Sequence, residues 1–306
     1  MNTPLTLVVT DSGLGGLSVV AGLAEQFTKR SPAENVNIIY YNAWPCLTHP
    51  YNVMPSQAAK TIAFSDALYG TKAFNPDHVL VACNTLSVLY YDTDYSRDTE
   101  AKVIEIVRFG VDTIAEKLRS EPNSKILIAA TPTTIEANSH ADELKAMGIC
   151  KTRIEGQSYG RVAEKIELDP SSDEVKAMID LHSQEAAEKL AMKADEKLYA
   201  ALCCTHYGYS AELFRESLAK HCGCEVEIIN PNTAMSQNSV TTSDDNSYES
   251  ANIDIKVVSR VDIAPDKISA ISKILEPICS KTTKALNNYH LDPALFEFRQ
   301  DVVMNH

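Results

Sequence analysis

The sequence predicts an α/β protein built on parallel β-sheets. Short apolar runs rich in Val, Ile and Leu alternate with segments of helical spacing, which is typical of parallel sheets covered by helices on both faces. At 306 residues, of which 44% are hydrophobic, the chain can form one large or two ordinary domains with substantial cores. Several apolar runs end in small polar or thiol residues. Open α/β sheets bind ligands beyond the carboxyl ends of their strands, so these strand ends are candidate sites.

The predicted elements alternate from the N-terminus onwards. Leu17, Val20 and Leu23 share one side of the first helix, which reaches about residue 27. Predicted strands cover residues 5–10, 36–41, 78–83, 102–107, 125–130, 153–157, 198–203, 225–229 and 253–259. Further predicted helices cover residues 56–69, 86–91, 111–118, 135–147, 172–194, 211–221 and 265–275.

Two segments depart from this alternation. Residues 232–252 are dominated by Ser, Thr, Asn and Asp, and we expect them to form a mobile surface excursion. The tail, residues 280–306, has no strong pattern.

Charge and composition narrow the class of partner. The formal net charge is −13, which disfavours nucleic acid because an acidic surface repels phosphate backbones. No run of about 18 apolar residues is present, so no membrane span is expected, and the N-terminus lacks signal-peptide features. We therefore expect a cytoplasmic protein, in which the eight cysteines are free thiols rather than disulfides.

The first polar strand end is the glycine-rich stretch of residues 11–16, Asp-Ser-Gly-Leu-Gly-Gly. Its glycines allow tight turning, and the following helix offers unpaired N–H groups to a carboxylate or phosphate. The stretch lacks the P-loop lysine, so nucleotide binding is weakly supported. An ordinary βα turn with Ser or Asp capping the helix would look the same.

Two other strand ends carry thiols. Cys83 falls between a strand and a helix, where helix N-terminal amides can stabilise a thiolate base. Taken alone, this cysteine fits an inert buried residue better, because free Cys is among the most buried residue types. Cys204 is followed by His206, which can tune the thiol or act as an acid; a core Cys203–Cys204 pair is the alternative. A zinc site is disfavoured by spacing. It would combine Cys203, Cys204, His206, His221, Cys222 and Cys224.

Taken together, these motifs resemble a known family. Residues 11–19, 82–85 (Ala-Cys-Asn-Thr) and 204–207 (Cys-Thr-His-Tyr) resemble, in order, the motifs of glutamate racemases in the cofactor-independent aspartate/glutamate racemase superfamily. The resemblance extends over about residues 5–278 and is specific at these motifs.

The resemblance implies a fold of two pseudo-symmetric flavodoxin-like domains, each a parallel sheet in a three-layer arrangement, with the active site at their interface. On this basis we expect a discontinuous first domain of residues 1–100 and 208–306. The second domain would cover residues 101–207.

The resemblance also implies racemisation of an acidic amino acid by two thiols on opposite faces of Cα, with no cofactor and no metal. The implied catalytic residues are Cys83, Cys204, Asp11, His206 and Glu164, with Glu167 as the alternative carboxylate. The implied substrate-binding residues are Ser12, Pro50, Tyr51, Asn52, Asn84, Thr85, Thr131, Thr133, Thr134 and Thr205. The expected partner is a small acidic amino acid, and neither nucleic acid nor a membrane is expected as a partner. A homodimer is compatible with the resemblance.

The sequence departs from the family pattern at a few positions. Cys203 stands where the family has Gly, and Asn52 replaces the Gly of a Pro-Tyr-Gly stretch. Trp44 either borders the pocket or packs at the surface. Glutamate is the expected substrate, and D-glutamate for peptidoglycan the expected product. The alternatives are racemisation of aspartate or another amino acid, a decarboxylation or cis–trans isomerisation, and a homologue that only binds a ligand.

Overall fold

The computed structural model describes residues 3–193, 195–240 and 248–304. Its strands are β1 (Leu5–Asp11), β2 (Asn35–Asn42), β3 (His78–Val81), β4 (Lys102–Glu105), β5 (Ser124–Ala130), β6 (Ile154–Ser158), β7 (Lys197–Cys203), β8 (Val226–Ile229), β9 (Asn252–Ser259) and β10 (His290–Leu291). Its helices are α1 (Leu17–Phe27), α2 (Gln57–Thr71), α3 (Asn84–Tyr90), α4 (Val107–Ser120), α5 (Pro132–Ala137), α6 (Ser139–Ala146), α7 (Val162–Ile166), α8 (Asp173–Leu190), α9 (Ala211–Cys222), α10 (Pro231–Asn238), α11 (Pro265–Leu275), α12 (Ser280–Asn287) and α13 (Gln300–Met304).

The chain folds into two compact units. Unit 1 combines Met1–Glu105 with Met235–His306, and unit 2 is Ile106–Ala234. The expected division had placed everything after residue 207 in the first domain. In the structure, β8 pairs with β7 in parallel, and this pairing keeps the chain in unit 2 beyond residue 207.

Unit 1 is organised around a parallel sheet. Within the described residues this sheet has six strands in the order β10-β9-β2-β1-β3-β4. The central strand β1 pairs with β2 from Leu5 to Asp11 and with β3 from Leu7 to Thr10. Its residues Leu7, Val8 and Val9 are fully buried, as expected for a strand covered on both faces.

Unit 2 repeats the same arrangement with fewer strands. Within the described residues its parallel sheet has four strands, in the order β6-β5-β7-β8. The same order is found in the β2-β1-β3-β4 part of the unit 1 sheet. In both units, the first strand along the chain lies between the second and the third. The predicted class, α/β with parallel sheets, is confirmed, and each predicted strand occurs with its ends shifted by a few residues at most.

Three expectations about local structure need correction. Residues 231–238 form α10 instead of a surface excursion, and Tyr248 bridges to Ser31; residues 241–247 of that expected excursion lie outside the described part. The predicted helix over 135–147 is two helices, because Asn138 adopts a left-handed backbone with φ of 55°. The tail contains α12, β10 and α13.

The described helices offer no membrane-spanning segment, since none of them is both long and apolar enough to cross a bilayer.

Substituting Gly70 by Ala tests how tightly the tail packs on α2. A Cβ at this position would meet the Tyr41 hydroxyl, the Leu295 carbonyl oxygen at 2.7 Å and the Phe296 Cβ at 2.7 Å. The backbone contact cannot move away cheaply, so G70A should lower the free energy of unfolding by about 1–3 kcal/mol, although Ala is the better helix former. Urea unfolding followed by circular dichroism measures the change.

The matched control for this prediction is Gly160→Ala, where the new Cβ would have its nearest contact with Pro132 Cγ at an ordinary 3.8 Å. Equal unfolding midpoints for G70A, G160A and the wild type would contradict the packing described here.

Candidate active site

In unit 1, Asp11 and Cys83 leave the sheet at the same edge. Thr10 pairs with Val81, and the Ala82 N–H donates to the Thr10 carbonyl at 2.9 Å. The residues that follow, Asp11 at the end of β1 and Cys83 beyond β3, therefore lie at the carboxyl ends of adjacent strands. Asp11 is fully buried and Cys83 is 5% exposed.

Cys83 has surroundings that favour a thiolate. It is the N-cap residue of α3, where unpaired amides and the helix dipole stabilise negative charge. Its Sγ lies 3.2 Å from the Ser12 Oγ, which can donate to a thiolate. Asn84 and Thr85 are buried in the first turn of the same helix. Ser12, Asn84 and Thr85 were each named from the sequence, and of these the Ser12 hydroxyl contacts the Cys83 sulfur.

The glycine-rich loop allows α1 to begin close to Asp11. A Cβ on Gly16 would lie 2.8 Å from the Asp11 Oδ2 and 3.2 Å from the Tyr40 ring. Gly16 is the N-cap residue of α1, so the N-cap itself supplies no side-chain hydrogen bond. The absence of a side chain at residue 16 makes room for the carboxylate.

The loop after β2 holds Tyr51 by a hydrogen bond within the loop itself. The Tyr51 hydroxyl donates to the Ala43 carbonyl at 3.0 Å, and the side chain is 2% exposed. Burial, and then the nearby charge of Cys83, raise the pKa of Tyr51 well above its usual value. The hydroxyl proton of Tyr51 is thus donated within the loop. Near Cys83, Tyr51 therefore contributes packing rather than a hydrogen-bond donor. Pro50 precedes it half-buried, and Asn52 is exposed.

Trp44 in the same loop packs against a cation. The Lys267 Nζ lies 4.8 Å from the centre of the Trp44 ring, which is only partly exposed. The ring is thus fixed against α11.

In unit 2, the corresponding sheet edge carries Cys204. Ala130 pairs with Cys203, so Thr131 and Cys204 both follow the carboxyl ends of neighbouring strands. Cys203 is fully buried, and burial, followed by the charge of Cys204, raises its pKa far above the usual range of a thiol. Cys203 is therefore an inert core residue, whereas Cys204 retains 7% exposure.

His206 connects Cys204 to a buried carboxylate. Its Nδ1 lies 3.8 Å from the Cys204 Sγ, and its Nε2 lies 2.6 Å from the Glu167 Oε1. Burial by itself lowers the pKa of His206, but the charge of Glu167 and the contact with Cys204 outweigh it, so this pKa is raised well above 6.5. This shift favours the protonated form of the imidazole beside the Cys204 sulfur.

The carboxylate beside His206 is Glu167 and not Glu164, the first candidate from the sequence. Glu167 is 4% exposed and caps the C-terminus of α7. The Glu164 side chain is 51% exposed and lies 4.0 Å from the Arg161 guanidinium. Glu164 thus points to solvent, whereas Glu167, at the end of α7, lies in the protein interior.

The threonine-rich stretch lies at the same edge of the unit 2 sheet. The Thr131 Oγ1 accepts from the Thr134 N–H at 3.4 Å and caps α5. Thr131, Thr133 and Thr134 are all buried. The stretch was predicted as a polar turn; in the structure it is a helix N-terminus, one strand away from Cys204.

Asn232 supports the turn after β7 and was missed from the sequence. Its Nδ2 donates to the Thr205 carbonyl at 2.9 Å, and both residues are buried. Thr205 separates Cys204 from His206, so this bond fixes the turn between them. Asn232 lies within the segment expected to be mobile, and its polar composition concealed this role.

The described residues contain no cluster of three or more His, Cys, Asp or Glu side chains that could hold a metal ion.

Two parallel α/β units, each with a buried thiol beyond the carboxyl end of a strand, match the architecture implied by resemblance to the aspartate/glutamate racemase superfamily. Within that class the chain is similar to glutamate racemases, as comparison with individual proteins shows. The glutamate racemase of Aquifex pyrophilus is 25% identical over 240 residues, which cover 74% of this chain and 79% of that protein.

Two further comparisons agree. The glutamate racemase of Chlorobium phaeobacteroides is 28% identical over 136 residues; the match covers 44% of this chain and spans about half, 46%, of that protein's length. The structure of glutamate racemase from Francisella tularensis in complex with D-glutamate superposes with a TM-score of 0.61 at 22% identity, covering 89% of this chain and 94% of the other. No protein-family model matches the chain. The predicted resemblance to glutamate racemase, and with it the amino-acid racemase class, is thus supported by both sequence and fold.

Substituting Glu167 by Gln tests the assignment of the buried carboxylate. Without the negative charge, the burial that lowers the pKa of His206 is no longer opposed by an ion pair, so this pKa should fall by more than about one unit. Titration of the imidazole Cε1–H resonances by NMR, with His206 assigned from a substituted variant, measures the shift.

Glu164→Gln is the matched control, since it removes a carboxylate one turn away and should leave the His206 titration unchanged. The assignment is wrong if E164Q lowers the pKa of His206 as much as E167Q does.

Proposed function

We propose that the protein is a cofactor-independent racemase of an acidic amino acid, glutamate in the first instance, in which Cys83 and Cys204 act on opposite faces of Cα. The observation that carries the proposal is the matched position of two buried thiols. Each lies just beyond the carboxyl end of a strand in its own unit, and each has its own acid–base neighbour.

The reaction requires two groups because of its stereochemistry. One thiolate removes the Cα proton, leaving a carbanion, and the other group, as a thiol, delivers a proton to the opposite face. A single base would tend to return the proton to the face from which it came. After each turnover the protonation states of the two sulfurs are exchanged, so each thiol must be able to exist in either form.

On the Cys83 side, the proposed base is assisted by Asp11 and Ser12. The Ser12 hydroxyl at 3.2 Å can donate to the thiolate. The Asp11 carboxylate would bind the substrate ammonium and assist proton transfer. Asn84 and Thr85 lie in the first turn of α3, where amides and hydroxyls can hold a substrate carboxylate. In the family, this thiol acts on the D-enantiomer.

On the Cys204 side, the proposed assistant is His206, held by Glu167. A protonated imidazole stabilises the Cys204 thiolate and can return the proton after the step. Thr205 and the stretch of residues 131–134 would complete the binding of the carboxylates.

Glutamate is the proposed substrate because of the proteins that the chain resembles. The Francisella tularensis structure contains D-glutamate, and the curated relatives are glutamate racemases. In a bacterium, D-glutamate made in this way would enter peptidoglycan. Aspartate is the second substrate to test, because the fixed Trp44 ring and Asn52 belong to the loop that differs from the family.

The proposal is tested by the exchange of Cα hydrogen in D₂O, followed by NMR with each enantiomer of glutamate and aspartate. The wild type should exchange and invert at least one of these acids. Cys83→Ser and Cys204→Ser should each lose about 10³-fold or more of the inversion rate, since a hydroxyl is far harder to ionise than a thiol. One-sided exchange can survive in either variant.

Cys150→Ser is the control, because Cys150 is exposed and has no part in the mechanism. The racemase proposal fails if no enantiomer of either acid exchanges. The two-thiol scheme fails if C83S and C204S both invert substrate at the rate of C150S.

A further inference from the structure

A third cysteine in unit 1 lies in a cluster that the racemase proposal does not use. Cys46, Thr48 and His49 belong to the loop between β2 and the short 3₁₀ turn at Tyr51–Val53. The Cys46 Sγ lies 3.5 Å from the His49 Nδ1 and 3.6 Å from the Thr48 Oγ1. The Thr48 Oγ1 lies 2.8 Å from the same His49 nitrogen. The three polar atoms therefore form a closed triangle.

The contact places an acid–base group within reach of the thiol. Nδ1 of the imidazole lies 3.5 Å from the Cys46 Sγ and can take the thiol proton as the sulfur attacks. A nucleophilic side chain within hydrogen-bond reach of a base is the arrangement by which proteins activate a thiol, so this geometry favours reaction at Cys46.

Two cations touch the residues just before Cys46. The Arg260 guanidinium donates to the Pro45 carbonyl, and the Lys267 ammonium lies 4.8 Å from the Trp44 ring. The chain as a whole has a net charge of −13, so this positive charge is a local feature. It favours the approach of a small anionic reagent.

Cys46 is accessible to a reagent, as are Cys222, Cys224 and Cys279, which are also partly exposed. Cys83, Cys203 and Cys204 are all buried, whereas Cys46 is partly exposed. Cys150 is fully accessible, and its Sγ lies 3.2 Å from the Thr152 hydroxyl. Cys150 thus has the threonine of the Cys46 cluster, and no contact of its sulfur with a histidine is found among the described residues.

We propose that Cys46 is a thiol–disulfide exchange site for small anionic disulfides, with His49 as its acid–base partner. The Cys46 thiolate attacks one sulfur of the disulfide, whose S–S bond breaks as the Cys46–S bond forms. The departing thiolate takes the proton from the His49 imidazolium. The disulfide is the oxidant, and the products are a mixed disulfide at Cys46 and one small thiol.

The test uses the full-length protein and glutathione disulfide as the probe. After timed exposure and blocking of the remaining thiols, the tryptic peptides are quantified by mass spectrometry. Cys46 is the only cysteine between the cleavage sites at Arg30 and Lys60, and Cys150 is the only one between Lys145 and Lys151. Each sample thus provides both rates, and Cys150 serves as the internal reference.

His49→Gln should lower the rate of mixed-disulfide formation at Cys46 by about threefold or more relative to Cys150 at neutral pH. His290→Gln, which removes an exposed histidine on β10 of the same unit, should leave the ratio unchanged. An unchanged Cys150 rate in H49Q shows that the fold is intact. The proposal is overturned if Cys46 forms no mixed disulfide in the wild type, or if the ratio in H49Q equals that in H290Q. Neither result depends on racemase activity.

Discussion

The hydrogen-bonded ion pair between His206 and Glu167 is the interaction on which the chemistry proposed for unit 2 depends. Both side chains are buried, at 6% and 4% exposure, and their atoms lie 2.6 Å apart. A charged group this deeply buried is tolerated only when it is paired, because the loss of hydration is costly. Removing one partner leaves the other unpaired, so the pair holds the end of α7 against the turn after β7. The same pair keeps a proton on the imidazole beside Cys204.

Both thiols follow the carboxyl end of a strand, but their neighbouring groups differ. In each unit, adjacent parallel strands end at the same edge of the sheet, and polar residues follow them there. At Cys83, the nearby groups are a hydroxyl, helix amides and the Asp11 carboxylate. At Cys204, the neighbouring group is an imidazolium held by a second carboxylate. A hydroxyl thus contacts the sulfur of Cys83, whereas an imidazole held by a carboxylate contacts that of Cys204.

The sequence was most informative where its signal was periodic. Long apolar strands predicted the sheets, and therefore the edges where Cys83 and Cys204 would lie. The sequence could not decide between Glu164 and Glu167. Helix α7 has only five residues, which is too short for its pattern to show which side faces inward. Asn232 was missed for a similar reason. A polar segment can be ordered by one buried side chain, here Met235 on α10, and by hydrogen bonds that composition does not reveal.

The most direct test of the central claim follows the α-hydrogen during the first turnovers of the wild-type protein in D₂O. If Cys83 and Cys204 act as two bases on opposite faces, the inverted glutamate should carry solvent deuterium at Cα from the start, while unconverted substrate keeps its protium. Each enantiomer should behave alike. Inverted product that retains the original α-proton would show that one base serves both faces, and would contradict the account.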